Sequence, residues 1–189
     1  MGMVQAVIPE SMIAERRRLG HDKKDEMWEG VLHMNDPGSY EHQRSEAELV
    51  VALHPVARRL GLVVLPEAGI FDPDVPDNKD FRTPDVIVVA PGATSRRGVE
   101  GRASLAIEIR SPGDESYEKI PFYGRVGVAE LLIIDRDTKA VRRWVSDSGH
   151  LVEAAAGASG WHDLAVLPVA MRGGEGILQV RVDDQVVEI

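Results

Sequence analysis

Two short apolar runs, Val86-Ile87-Val88-Val89 and Leu105-Ala106-Ile107-Glu108-Ile109, constrain this chain more than any other stretch, because each comes with a carboxylate that a hydrophobic core would not select. Asp85 heads the first run and Glu108 lies inside the second. Both runs are short and rich in β-branched residues, and both are bounded by turn formers, so they read as strands. Over about residues 103–110 the alternation sets Leu105, Ile107 and Ile109 on one side and Ser104, Ala106, Glu108 and Arg110 on the other. If the two strands share a sheet, the acids converge. Paired carboxylates across a ladder repel unless a cation lies between them, and a hard divalent ion, magnesium or manganese, is the natural partner. Spacing alone slightly favours a structural account, in which Asp85 caps its strand after Pro84 and Glu108 pairs with Arg110 or a neighbouring arginine.

The flanking sequence supplies a mixed set of elements. Pro9-Glu10-Ser11 opens a helix that Gly20 stops, and the basic run Arg16-Arg17-Arg18 suits its C-terminal dipole. Met27-Trp28 and Val31 to Met34 flank Glu29-Gly30 as a hairpin. A long helix is predicted from an N-cap at Ser39 to Gly61, with an apolar face of Ala47, Val50, Val51, Val56, Ala57 and Leu60 and a kink or break near Leu53-His54 imposed by Pro55. A strand is expected at 61–65, with Ile70-Phe71 as its continuation past Pro66, and residues 72–84, dense in Pro and Asp, as a surface loop. Asp72, Asp74, Asp77 and Asp80 lack the glycine and terminal glutamate of a calcium-binding loop, so no calcium site is expected there. A helix over 114–125 is expected to break at Pro121, and Ala129 to Asp135 is apolar enough for a central, doubly covered strand. Strands at 140–145 and 151–152 follow, and the last stretch continues in short apolar pieces that read as an edge layer or oligomer contact.

Composition narrows the function classes. The chain has 189 residues, within the range of one domain, and no cysteine, which removes disulfides, thiolate nucleophiles and cysteine-built zinc sites. The six histidines form no zinc motif, and the glycine cluster at 173–176 lacks the features of a phosphate-binding loop. Only His42, on the long helix, is retained as a candidate. A formal charge of −9 argues against a broad non-specific nucleic-acid platform while leaving room for a local basic cleft. No apolar run of membrane-spanning length is present and the N-terminus lacks a secretory pattern, so a cytoplasmic protein is expected.

Taken in order, the segments EMWEGVLHM at 26–34, EHQR at 41–44, TPDVIVVA at 83–90, LAIEIRSPGD at 105–114, Lys119 with Tyr123, and GVAELLIID at 127–135 resemble the Uma-two family of restriction-endonuclease-like proteins, a branch of the PD-(D/E)XK nuclease-like superfamily. The resemblance spans roughly residues 10–145 and is looser beyond. It implies an α/β (α+β) fold with a mixed central sheet flanked by helices; length and the late apolar pieces add the expectation of one domain, 1–189, with extra C-terminal strands over about 146–189. It also implies a divalent metal held by Asp85, Glu108 and the main-chain carbonyl of Ile109. The superfamily's lysine two residues after the acid is Arg110 here, and an arginine stays protonated and cannot serve as a base. The resemblance places that lysine on the following helix instead, at Lys119.

Two functional readings follow. In the first, the chain is a magnesium- or manganese-dependent endonuclease acting on DNA, with Asp85, Glu108 and Lys119 as its catalytic set, Arg110 and Tyr123 in support, and His42 or Glu48 completing the surroundings. In the second, the nuclease-like architecture serves as a non-catalytic binding or assembly module. A small-ligand protein is supported only by the C-terminal strands. A homodimer suits both the apolar C-terminal strands and a duplex substrate.

Overall fold

The computed structural model describes residues 9–189 apart from 21, 23, 36 and 37. The first eight residues, read above for a secretory pattern, and Lys23 lie outside that set. Helix α1 (Glu10–Leu19) precedes the hairpin of β1 (Glu26–Trp28) and β2 (Val31–His33). The long α2 (Tyr40–Arg59) leads to β3 (Val63–Pro66), β4 (Ile70–Phe71), β5 (Phe81–Arg82) and β6 (Val86–Val89). Then come β7 (Val99–Glu100), β8 (Leu105–Arg110), the short α3 (Ile120–Arg125) and β9 (Glu130–Asp135). The meander β10 (Val141–Asp147) and β11 (His150–Ala154) is followed by β12 (His162–Asp163), β13 (Val169–Gly174), β14 (Ile177–Val182) and β15 (Gln185–Glu188).

The strands form three sheets. The central one has six strands in the order β11-β10-β9-β8-β6-β3, all antiparallel except the parallel β8–β9 pair that α3 connects. A second, of five short strands, runs β2-β1-β5-β4-β7, and the C-terminal strands build a third, β12-β13-β14-β15. The expected alternation in β8 holds, and both of its faces are covered. Leu105, Ile107 and Ile109 join a core with Leu49 and Leu53 of α2 and Met171, Leu178 and Val180 of the C-terminal sheet. Ala106 faces a separate core with Phe122, Tyr123, Leu131 and Ile133. Burial on both sides explains why β8 and β9 are nearly continuous in apolar residues.

Several expectations are corrected. Helix α2 runs uninterrupted through Pro55, whose ring is exposed while Leu53, Val56 and Ala57 around it are fully buried. The lost hydrogen bond falls on the solvent side, and packing on the other side keeps the helix intact. Its buried face is Ser45, Glu46, Leu49, Leu53, Val56 and Ala57, whereas Val51 and Leu60 are exposed. Strand β3 does not continue to Phe71. At Glu67, φ is 47°, and the chain turns into the second sheet. Pro121 opens α3 and does not break it, since proline in a first turn gives up no helical bond. Residues 72–84 are not simply a surface loop: Asp72 and Asp80 are buried against Arg125, and Phe81–Arg82 forms a strand. Arg82 bonds Asp80 at 2.8 Å, and its guanidinium lies 4.3 Å from the ring centroids of both Trp28 and Phe122. Among the described residues, no helix is long and apolar enough to cross a membrane.

Candidate metal centre and cleft

Asp85 is placed where three elements meet. Pro84 before it favours extended backbone, and one step beyond the Val86–Ile107 pairing Asp85 comes level with Glu108 in the ladder. Its Oδ2 accepts from the Ile109 N–H at 2.6 Å, and its Oδ1 lies 2.8 Å from His42 Nε2. Ser39 fixes the start of α2, its Oγ accepting from the His42 N–H at 3.3 Å, and this sets the imidazole over the strand end. One helical turn on, Glu46 shares the His42 face. Ligand atoms of His42, Glu46 and Asp85 all lie within 4.8 Å of one another.

Glu108 is more deeply enclosed. It accepts from the Tyr123 hydroxyl through Oε1 and from Lys119 Nζ at 3.2 Å through Oε2. Lys119 Nζ is also 2.9 Å from Oε1 of Glu26 on β1. Glu26 is itself held, accepting from the Thr83 N–H and from Trp28 Nε1, each at 2.8 Å. A buried network of two carboxylates, one ammonium and one phenol therefore stands beside the His42–Glu46–Asp85 group.

The electrostatics follow from burial. Loss of solvent pushes the Glu108 carboxyl up to about 8, with the Asp85 and Glu26 charges adding to the rise and Lys119 opposing it. Burial alone would pull the Lys119 amine down, but the carboxylates of Glu108 and Glu26 overcome it and hold the amine above the ordinary lysine range. Glu46 is pushed up to about 7 by burial and by the nearby Glu67 and Asp85 carboxylates. The Asp85 hydrogen bond raises His42 against the opposing effect of burial. Glu46 and Asp85 thus share a place with too little positive charge, and a divalent cation fits that deficit.

Of these groups, His42, Asp85, Glu108, Ile109 and Lys119 line a cleft of about 1020 Å³, with Glu26, Glu46 and Tyr123 behind them. Strand β2 and the turn at 111–116 also line it. His33 of β2 stacks on Trp28 with ring centroids 4.0 Å apart and lies 2.8 Å from Glu115.

The structure thus brings together Asp85, Glu108, Lys119, Tyr123, Ile109 and His42. Ile109 reaches Asp85 through its N–H. Arg110 turns elsewhere, to Asp135 at 3.2 Å and over the ring of Tyr117, so Glu108 is partnered by Lys119 and Tyr123 and not by an arginine. Glu48 bonds Arg44 at 2.9 Å and does not line the cleft. Glu26 and Glu46 are the acids that sequence reasoning missed. Helical spacing from His42 was the available signal for Glu46, while Glu26 carried none, because its partner Lys119 is 93 residues away.

A family model named Uma2, with the description "Putative restriction endonuclease", matches residues 13–172. No curated protein matches the chain. Among solved structures, a crystal structure from Anabaena variabilis, titled as that of "a putative nuclease belonging to DUF820", aligns with a TM-score of 0.55 at 16% identity. The alignment covers 68% of this chain and 75% of that one, and it shows a shared restriction-endonuclease-like fold.

Proposed function

The chain belongs to the Uma2 family, and on that footing we propose that it is a metal-dependent endonuclease that hydrolyses phosphodiester bonds in DNA. The observation that carries this reading is the convergence of His42, Glu46 and Asp85 within 4.8 Å, with His42 and Asp85 lining the same cleft as the Glu108–Lys119 pair. Asp85 and Glu108, with His42 and Glu46, would hold magnesium or manganese. Such an ion, when bound, supplies Lewis-acid activation of water and stabilises charge on a phosphoryl oxygen.

The protein's own groups have distinct tasks. Lys119 stays protonated between Glu26 and Glu108, so it is no general base. An ammonium has three donors, and with two committed to carboxylates the third can orient the scissile phosphate or the attacking water. Tyr123 fixes the rotamer of Glu108 through its hydroxyl, and the Ile109 N–H does the same for Asp85. Arg110, tied to Asp135, takes no part at the reacting atoms.

Purified protein with magnesium should nick a supercoiled plasmid, and Asp85→Asn should slow this at least about a hundredfold. Equal nicking by the variant would sink the assignment. One observation favours a second reading, a non-catalytic module: both Glu108 oxygens are already engaged by protein donors. Calorimetric titration with manganese separates the two, because a module would give no heat dependent on Asp85. The proposal extends to a homodimer, supported by the free edge strand β15 with Val186 and Val187 exposed. Light scattering at a single-chain mass would remove that part.

A further inference from the structure

We infer, resting on the nuclease reading of this cleft, that its substrate is a locally unpaired strand of nucleic acid, gripped at a few phosphates with a base stacked on Tyr40, and not an intact duplex tracked along its backbone.

The first support is the distribution of charge. The cleft is lined by three cations, Lys24, Lys119 and Arg136, and each is already matched by a carboxylate of this chain. Against them stand five acids, Glu67, Asp85, Glu108, Asp114 and Glu115. A bound divalent ion brings that balance to about neutral without making it basic. Among the described residues, Arg58, Lys79, Arg96, Arg102, Lys139 and Arg172 have no carboxylate partner within ion-pair distance, and none of the six lines the cleft. Among the described residues the cleft lining offers no Lys or Arg without a carboxylate partner, whereas a protein that tracks a duplex typically makes roughly six to ten phosphate contacts.

The second support is aromatic. Tyr40 is 75% exposed at the start of α2, next to Ser39, which lines the cleft together with His42. Met34, a cleft residue, is 54% exposed. Large side chains held open beside a polar cleft offer a face to an unstacked base. Stacking of a base on an aromatic ring contributes to single-strand binding whatever the sequence, and an intact duplex offers no such face.

The test is fluorescence anisotropy with the full chain, using calcium in place of magnesium and a labelled forked DNA, its single strand and the blunt duplex of the same sequence. The fork and the single strand should bind at least about tenfold tighter than the blunt duplex, and Tyr40→Ala should weaken them about five- to tenfold while leaving duplex binding unchanged. Between about 50 and 200 mM salt the affinity for the single strand should fall only roughly tenfold, as for two or three phosphates. Equal or tighter binding of the blunt duplex, a loss of a thousandfold or more over that salt range, or no effect of Tyr40→Ala overturns the inference. Cleavage abolished by Asp85→Asn but indifferent to strand pairing would overturn it and leave the nuclease reading standing. Tyr40-dependent fork binding with no Asp85-dependent cleavage of any DNA would do the reverse.

Discussion

Lys119 has two buried acids for partners, and the strength of that arrangement lies in what its removal leaves behind. Lys119→Met would strand the Glu26 and Glu108 carboxylates out of water, a loss of about 3–5 kcal/mol. Urea denaturation at pH 8 and pH 5 should show a smaller loss at pH 5, where the acids can take up protons, and equal losses would speak against a charge origin. Glu46 makes the converse case. Its carboxyl titrates at about 7 in the folded protein and near 4.5 unfolded, so the folded state binds more protons in between. Its stabilising contribution is therefore full below pH 4.5 and lost as pH rises through 7. Glu46→Gln should raise the stability of metal-free protein at pH 8 by about 1–3 kcal/mol and change little at pH 4.5. Thermal melts in chelator at the two pH values check this, and no difference between them would count against the buried acid. Asp85 and Glu108 could be picked out of the sequence because a carboxylate beside an apolar strand is conspicuous. Glu26 and Glu46 sit among other polar residues, and only folding reveals which of those face inward.

At the scale of elements, helix and strand identities were legible wherever periodicity was strong, as in β8, β9, the β1–β2 hairpin and α2. The hairpin turn puts Glu29 at φ 50° and Gly30 at φ 87°, the left-handed pair that a two-residue loop requires. What local rules misjudged was proline. At Pro55 a local penalty predicted interruption, but Leu53, Val56 and Ala57 pack against the central sheet and override it. Pro55→Ala should therefore stabilise the protein, by about 1–3 kcal/mol in denaturant titration, by restoring a helical bond at an exposed position. Destabilisation would mean that the helix is broken there after all. Leu53→Ala, on the buried face, should cost about 2–5 kcal/mol. The short strands β5 and β7 escaped notice, and β4 was read as a continuation of β3, because two residues carry no period and their pairing is fixed by partners distant in sequence.

For the whole molecule, α2, the central sheet and β13–β14 share one core, and the proposal of a single domain predicts that they unfold together. Trp28, Trp144 and Trp161 report from three different sheets or their edges. Their fluorescence and the far-ultraviolet signal should be lost in one transition, and separate transitions would make the C-terminal sheet a unit of its own. That sheet was legible only as a series of strands, since nothing local says that Leu178 will meet Leu53. The distance along the chain has a temporal consequence. The exposed pair of Arg59 with Asp183, 124 residues apart, marks how late α2 gains its cover. Closing so long a loop comes after local structure, which puts folding in the slower range of milliseconds to seconds. Until then the Leu49–Leu53 face lies open to other chains, and the recovery of folded protein on dilution from denaturant should fall with protein concentration well before equilibrium stability is affected.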